Sequence, residues 1–315
     1  MAYTNNRDLP LMMAVWLAND RYERNPTYIS GSQLSLSNRQ LVLGLRVADL
    51  NIDLSSLVAA RLGHAINDSI DAAWKLPDLA NRMKAAGFNS LFEYEINPVL
   101  PAPGKVAVYI QQRFNEEVAG RILTGAPDMI MNGRLTDYKS TTVFAYQKKT
   151  IEDYLWQLTA YRYLARNLIS DNVATIQFIL KDWSEMRATH DLNYPQTPCP
   201  TLLIPVGSAE QCLIRITARI EELNALMSLD QSDLPLCSDE ELWLDPPKFA
   251  YYKSLSADPS SRASRVFDTY AEATSHMSAQ KNGGKIVVRK GEPKACSYCR
   301  AASICEQFAN WAKSK

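Results

Sequence analysis

The sequence predicts an α/β fold, a mixed central sheet flanked by helices, followed by a small basic C-terminal metal-binding module. Three observations carry this reading. Asn132-Gly133 sits between two runs of strand-like residues, the strongest short signal for a two-residue type I′ hairpin. Downstream, a strand, an amphipathic helix and an apolar strand follow one another as in a crossover unit. After residue 235 the composition turns basic, and three of the six cysteines cluster near the end. The expected division is a core over 1–235 with a helical N-terminal segment, and a basic cysteine-cluster module over 236–315.

A chain of 315 residues, 46% of them hydrophobic, can bury a sizeable core. Its formal net charge is zero, so any surface for a polyanion must be a local patch. No uninterrupted apolar run approaches the length that spans a bilayer, and the short run Leu11 to Ala18 lacks a basic leader and a cleavage site. A cytoplasmic protein with no membrane partner is expected. In that reducing compartment clustered cysteines read as metal ligands rather than disulfides.

Residues 1 to 30 are weakly patterned, with Trp16, Tyr22 and Tyr28 as apolar anchors, and read as a loosely helical entry. From Ser35 to Leu76 apolar residues recur at helical spacing, which predicts two or more helices, with His64 in the second. Asn89 to Leu100 and Lys105 to Phe114 read as two strands of a hairpin around Pro101-Ala102-Pro103-Gly104. Glu152 to Leu168 is an amphipathic helix whose Gln157 and Tyr161, four residues apart, share a face. Strands follow at Thr175 to Lys181 and Thr201 to Val206, and Ser208 to Gln211 is a capping box that opens a helix running to about Met227.

The Asn-Gly turn sets the register of the central hairpin. If Met131 faces Arg134, then Ile130 faces Leu135, Met129 faces Thr136 and Asp128 faces Asp137. Lys139 lies two residues beyond Asp137 and therefore on the same face. Like charges set opposite each other are destabilising, and a divalent cation between the carboxylates removes that penalty. A solvated face with splayed acids is the bland alternative. Pro127 interrupts a ladder, so a slip of one residue is the other alternative.

Gly125-Ala126-Pro127-Asp128, Asp137-Tyr138-Lys139 and Gln157-Leu158-Thr159-Ala160-Tyr161, with Gly63-His64 upstream, resemble the motifs of the PD-(D/E)XK nuclease superfamily, and of its RecB-type branch in particular. The resemblance implies a restriction-endonuclease-like core. It further implies Mg2+ or Mn2+ held by His64, Asp128, Asp137 and the backbone carbonyl of Tyr138. Lys139 would position the attacking water, and Gln157 and Tyr161 would brace the site or the DNA. On that reading Asp137→Ala or Lys139→Ala abolishes cleavage and leaves the fold intact.

From Lys248 to Arg300 ten Lys and Arg stand against four Asp and Glu, interleaved with Tyr251, Tyr252, Phe267 and Tyr270. Such a surface suits a phosphate backbone and base stacking, and a solvated small module is the equal alternative. Cys296 and Cys299 can grip one metal from a tight knuckle, with Cys305 closing from the next turn. The tail resembles that of RecB-type nucleases with iron–sulfur clusters, although their first cysteine precedes the nuclease motifs and this chain has none before Cys199. Cys237 is the best fourth ligand, in a segment, 237–243, that resembles phage-encoded exonucleases of the branch. Cys199 and Cys212 read as a loop and a buried helix residue. A 4Fe-4S cluster is preferred, with Zn2+ as the alternative, in a structural role.

The resemblance therefore implies a metal-dependent DNA exonuclease, acting at DNA ends in recombination, replication or repair and of the kind that phages encode. A structure-specific endonuclease and a non-catalytic DNA-binding protein retaining the fold are its rivals. DNA is the expected partner, a single-strand annealing protein a second one, and a homo-oligomer is compatible by analogy with processive phage exonucleases.

Overall fold

The computed structural model describes residues 2–19, 25, 27–47, 51–88, 93–148, 150–280 and 283–313. Tyr22, the start of the expected Asn89 strand and Lys281 lie outside these. Two compact units form, one from residues 1–36 and 49–227 and one from 37–48 and 228–315. Segment 37–48 thus groups with the C-terminal residues, which nothing in its helical pattern announces.

The first elements are β1 (Ala2–Thr4), α1 (Leu11–Ala18), β2 (Tyr28–Ser30), α2 (Asn38–Arg46), β3 (Asn51–Asp53), α3 (Val58–Trp74) and α4 (Leu79–Ala85). Strands β4 (Tyr94–Ile96), β5 (Val106–Ile110), β6 (Phe114–Val118), β7 (Arg121–Gly125), β8 (Met129–Met131) and β9 (Arg134–Thr141) follow. Next come α5 (Val143–Lys148), α6 (Glu152–Leu164), β10 (Val173–Leu180), α7 (Glu185–His190), β11 (Thr201–Pro205) and α8 (Ala209–Leu226). The second unit adds β12 (Lys248–Tyr252), β13 (Arg265–Phe267), α9 (Tyr270–Ser278), β14 (Lys285–Arg289) and α10 (Glu306–Lys313) to α2.

The first unit is built on a six-stranded mixed sheet in the order β11-β10-β9-β8-β5-β4. The central hairpin takes the register the turn dictates: Met129 pairs with Thr136, Ile130 with Leu135 and Met131 with Arg134. Asn132 and Gly133 both have positive φ, +51° and +77°, as a type I′ turn requires. Strands β9 and β10 are parallel and α6 lies between them in the chain, as the crossover pattern demands. Ser208 caps α8 with Gln211 bonding back to it, the anticipated capping box.

Three expectations change. The entry segment is not loosely helical throughout: β1 pairs with β3 and β2 joins β7, because short extended pieces find partners far along the chain. The hairpin expected from Asn89–Leu100 and Lys105–Phe114 is instead, over its described residues, a parallel pair, β4 with β5. Asn97 carries the pairing past the end of β4, accepting from the Ile110 amide at 2.7 Å and donating to its carbonyl at 3.3 Å. The long proline-containing loop between them turns the chain twice, whereas a tight turn would have set an antiparallel neighbour. The hairpin the sequence reading missed is β6–β7, closed by Ala119-Gly120, again with both φ positive.

Helix α6 also departs from a one-stripe amphipathic helix. It ends at Leu164, and every residue from Leu158 to Ala165 is buried, Thr159 and Arg162 included. The cause is packing on several sides. Leu158 and Tyr161 join the sheet core with Ile130, Leu135, Ile176 and Phe178, while Ala160 closes on Gly31, where an added Cβ would lie 2.8 Å away. The opposite sheet face buries Val108, Ile110 and Met129 beneath Trp74, Tyr94 and Tyr138.

Candidate active site

Pro127 lies where the chain leaves the three-stranded sheet β2-β7-β6 and enters the six-stranded one, so its missing N–H interrupts no ladder and the register does not slip. Asp128 follows it, just before β8, and Asp137 and Lys139 stand on β9 with Leu135 between the sheet and α6. The Asp128 carboxylate takes three donors. The Tyr138 amide donates to Oδ2 at 2.8 Å, and Gln111 Nε2 and Asn67 Nδ2 donate to Oδ1 at 2.9 and 3.3 Å.

Asp137 is only 1% exposed. Lys139 Nζ stands 2.6 Å from its Oδ2 in a close ion pair rather than an aligned hydrogen bond. The same ammonium donates to Gln157 Oε1 at 2.9 Å, and Gln157 Nε2 donates to the Tyr161 hydroxyl at 2.9 Å. The i, i+4 spacing on α6 therefore continues a polar chain from β9 into the helix. Gly125 permits it: an added Cβ would meet Tyr161 Cε1 at 2.7 Å and Leu164 Cδ1 at 2.9 Å.

Burial and the neighbouring charge of Asp137 push the Asp128 carboxyl up to about 6. Burial first, then adjacent carboxylates, also raise the Tyr138 and Tyr161 phenols. The site thus concentrates negative charge in a poorly solvated place, an electrostatic demand that a hard divalent cation meets.

A model of the PD-(D/E)XK nuclease superfamily matches residues 59–306 of the chain. The chain belongs to this superfamily. PD-(D/E)XK proteins are generally nucleases and typically use Mg2+ or Mn2+. No curated protein matches the chain. Among solved structures, one described as SSO0001 is similar at 13% identity and a TM-score of 0.41, covering 68% of this chain and 84% of its own.

Not every sequence-derived candidate of this PD-(D/E)XK chain is gathered. His64 is exposed on α3, with Nδ1 3.5 Å from Arg61 Nη1. Asn67, one turn further on, is the residue of that helix that reaches Asp128. Among the described residues no group of three or more His, Cys, Asp or Glu is placed to hold a metal ion. Asn67 and Gln111 were missed by sequence reasoning, because neither amide has a motif and both act through long-range contacts.

In the second unit, Cys237, Cys296, Cys299 and Cys305 line one cavity of about 250 Å³, with Arg39 of α2 in its wall. All six cysteines are free thiols. Gln307 clamps Cys237 to α10, donating to its carbonyl and accepting from its amide at 2.9 Å each. Ser37 Oγ lies 3.2 Å from Cys237 Sγ. Burial, then the neighbouring thiols, pushes Cys296 up to about 11, and burial also raises Cys237 and Cys299. Four thiols around one cavity fit a thiolate-bound centre by their chemistry. Cys199 is exposed, and Cys212 is buried with its thiol donating to the Val206 carbonyl.

The basic module needs one correction. Tyr251 and Tyr252 are 1% and 2% exposed and cannot stack a base. Their hydroxyls donate to the Gly283 and Pro259 carbonyls, which makes them core of the sheet β13-β12-β14. Tyr270 remains exposed, and Arg265 covers the Phe267 ring. Lys294 of this unit pairs with Asp245 at 2.8 Å.

Proposed function

We propose that this nuclease-superfamily protein is a divalent-metal-dependent DNA exonuclease of the RecB-type branch. The observation that carries the reading is the unbroken line of contacts from Asp137 through Lys139 and Gln157 to Tyr161, with Asp128 beside it. Asp128 and Asp137 would hold Mg2+ or Mn2+, with the Tyr138 carbonyl as a further ligand; His64, exposed beside Arg61, is not placed with them. The bound cation would polarise the scissile phosphate and acidify a water. Lys139, oriented by Gln157, would position the attacking water and offset the charge that develops on phosphorus-bound oxygens. Tyr161 locks Gln157 in place from a position that Gly125 alone leaves room for.

The four cysteines of the second unit would bind a structural centre. Their arrangement around one cavity supports a thiolate-bound centre, and the choice of a 4Fe-4S cluster over one Zn2+ rests on the sequence resemblance of the tail. The exposed Lys and Arg of the same unit, with Tyr270, would hold the DNA strand. No helix among the described residues is long and apolar enough to cross a membrane, and a cytoplasmic place rests on the sequence reading. A role in recombination beside an annealing protein, phage origin and a homo-oligomer rest on the sequence resemblance.

The test is digestion of end-labelled linear duplex and single-stranded DNA beside a closed circle, in Mg2+, Mn2+ and EDTA. Metal-dependent loss of the linear DNA with the circle spared is expected. Cutting of the circle makes the protein an endonuclease; binding without cutting in any metal makes it a DNA-binding protein.

A further inference from the structure

Gln111 holds an unusual conformation for its position. It follows the last residue of β5 and has φ of +51°, the left-handed region that glycine and asparagine enter cheaply and glutamine does not. The residue is exposed, so no core packing calls for a long side chain there. Its contacts explain the choice. The Gln111 amide donates to the Asp128 carbonyl at 3.3 Å, and its side chain turns back to give Nε2 to Asp128 Oδ1 at 2.9 Å. The left-handed turn aims both donors at one residue across the end of the β5–β8 ladder, one step beyond the Ile110–Met129 pair.

Asn67 reaches the same oxygen from the other side. It lies in the middle of α3, where asparagine is a weak helix former, and it gives Nδ2 to Asp128 Oδ1 at 3.3 Å. The Tyr138 amide meanwhile occupies one lone pair of Oδ2. Three donors from three elements therefore fix the carboxylate plane. Among the described residues, both lone pairs of Oδ1 are taken and one lone pair of Oδ2 is left.

We propose that Asn67 and Gln111 are positioning residues, an amide clamp that locks Asp128 so that it presents Oδ2 alone to the catalytic cation. This rests on the metal-nuclease reading above. Groups that orient a ligating carboxylate typically change metal affinity by about 10- to 100-fold when removed. The clamp makes a prediction that a structural role does not. Glycine accepts φ of +51° without cost, so Gln111→Gly relieves backbone strain while it deletes the side-chain donor. Gln111→Asn also tolerates the backbone but is one methylene too short to reach.

The experiment titrates Mn2+ into the purified full chain, following free Mn2+ by electron paramagnetic resonance, for the parent, Gln111→Gly, Gln111→Asn and Asn67→Ala. Thermal midpoints, kcat and KM on linear DNA accompany each titration. Expected are Gln111 variants as stable as the parent or more so, with Mn2+ bound about 10-fold more weakly, kcat reduced and KM for DNA unchanged. Asn67→Ala should weaken Mn2+ similarly. Gln111 variants with the parent's Mn2+ affinity and kcat overturn the clamp and leave the nuclease reading standing. A parent chain that binds no Mn2+ overturns the nuclease reading, and the clamp with it.

Discussion

Lys139 Nζ stands 2.6 Å from Asp137 Oδ2, and that carboxylate is 1% exposed. The lysine is therefore the charge partner of a buried acid as well as a candidate catalytic group. Lys139→Ala should cost cleavage at least about a hundredfold. It should also destabilise the fold by on the order of 2 kcal/mol, below the figure for fully buried pairs because Lys139 is 29% exposed. Adding Asp137→Asn should restore most of the stability and none of the activity. Urea denaturation beside a cleavage assay checks both.

Gly125→Ala brings a Cβ to 2.7 Å from the Tyr161 ring and 2.9 Å from Leu164. The ring is packed in the core and can yield only by shifting α6. A loss of about 1–3 kcal/mol is expected, with cleavage falling because Tyr161 and Gln157 move together. An Ala variant with parental stability and rate would mean that the helix does not rest on this glycine.

Asp128 is pushed up to about 6 by burial and by Asp137. Without metal, the folded protein keeps a proton between the ordinary carboxylate range and about pH 6 that the unfolded chain has released. Its contribution to stability is present in acid and is lost as pH rises through that window. Thermal midpoints of the metal-free protein should decline there, and Asp128→Asn should flatten the decline. On the proposed reading of Asp128 as a ligand, Mn2+ affinity should weaken on acidification below about pH 6, since a ligating carboxylate must be ionised.

Cys237, Cys296, Cys299 and Cys305 line one cavity, whereas Cys199 is exposed elsewhere. Serine at any of the four should remove most of the bound metal from anaerobically purified protein, while Cys199→Ser leaves it in place. Iron with visible absorbance supports the cluster; colourless protein with zinc supports the single ion. Metal retained in all four variants would dissociate these cysteines from any centre.

Much of the core was legible because its signals are local. A two-residue turn with both φ positive admits few residues, and Asn132-Gly133 set strand pairing to the residue. A capping box needs only its own four residues, so Ser208 and Gln211 announced α8. Long-range choices were not legible. The direction of β4 beside β5 depends on how the chain closes a loop, and the burial of Tyr251 and Tyr252 on which face of a small sheet is covered.

From sequence alone came the hairpin register from Met129 to Thr136, Asp137 and Lys139 on one side of their strand, and the shared face of Gln157 and Tyr161, since backbone periodicity decides which side chains share a face. Tertiary structure decided what those groups touch. It gave Asp128 its amide donors from Asn67, 61 residues upstream, and Gln111, 17 upstream, and drew Cys237 into one cavity with the tail. Such contacts are set by packing between distant elements, and no local period in the chain encodes them.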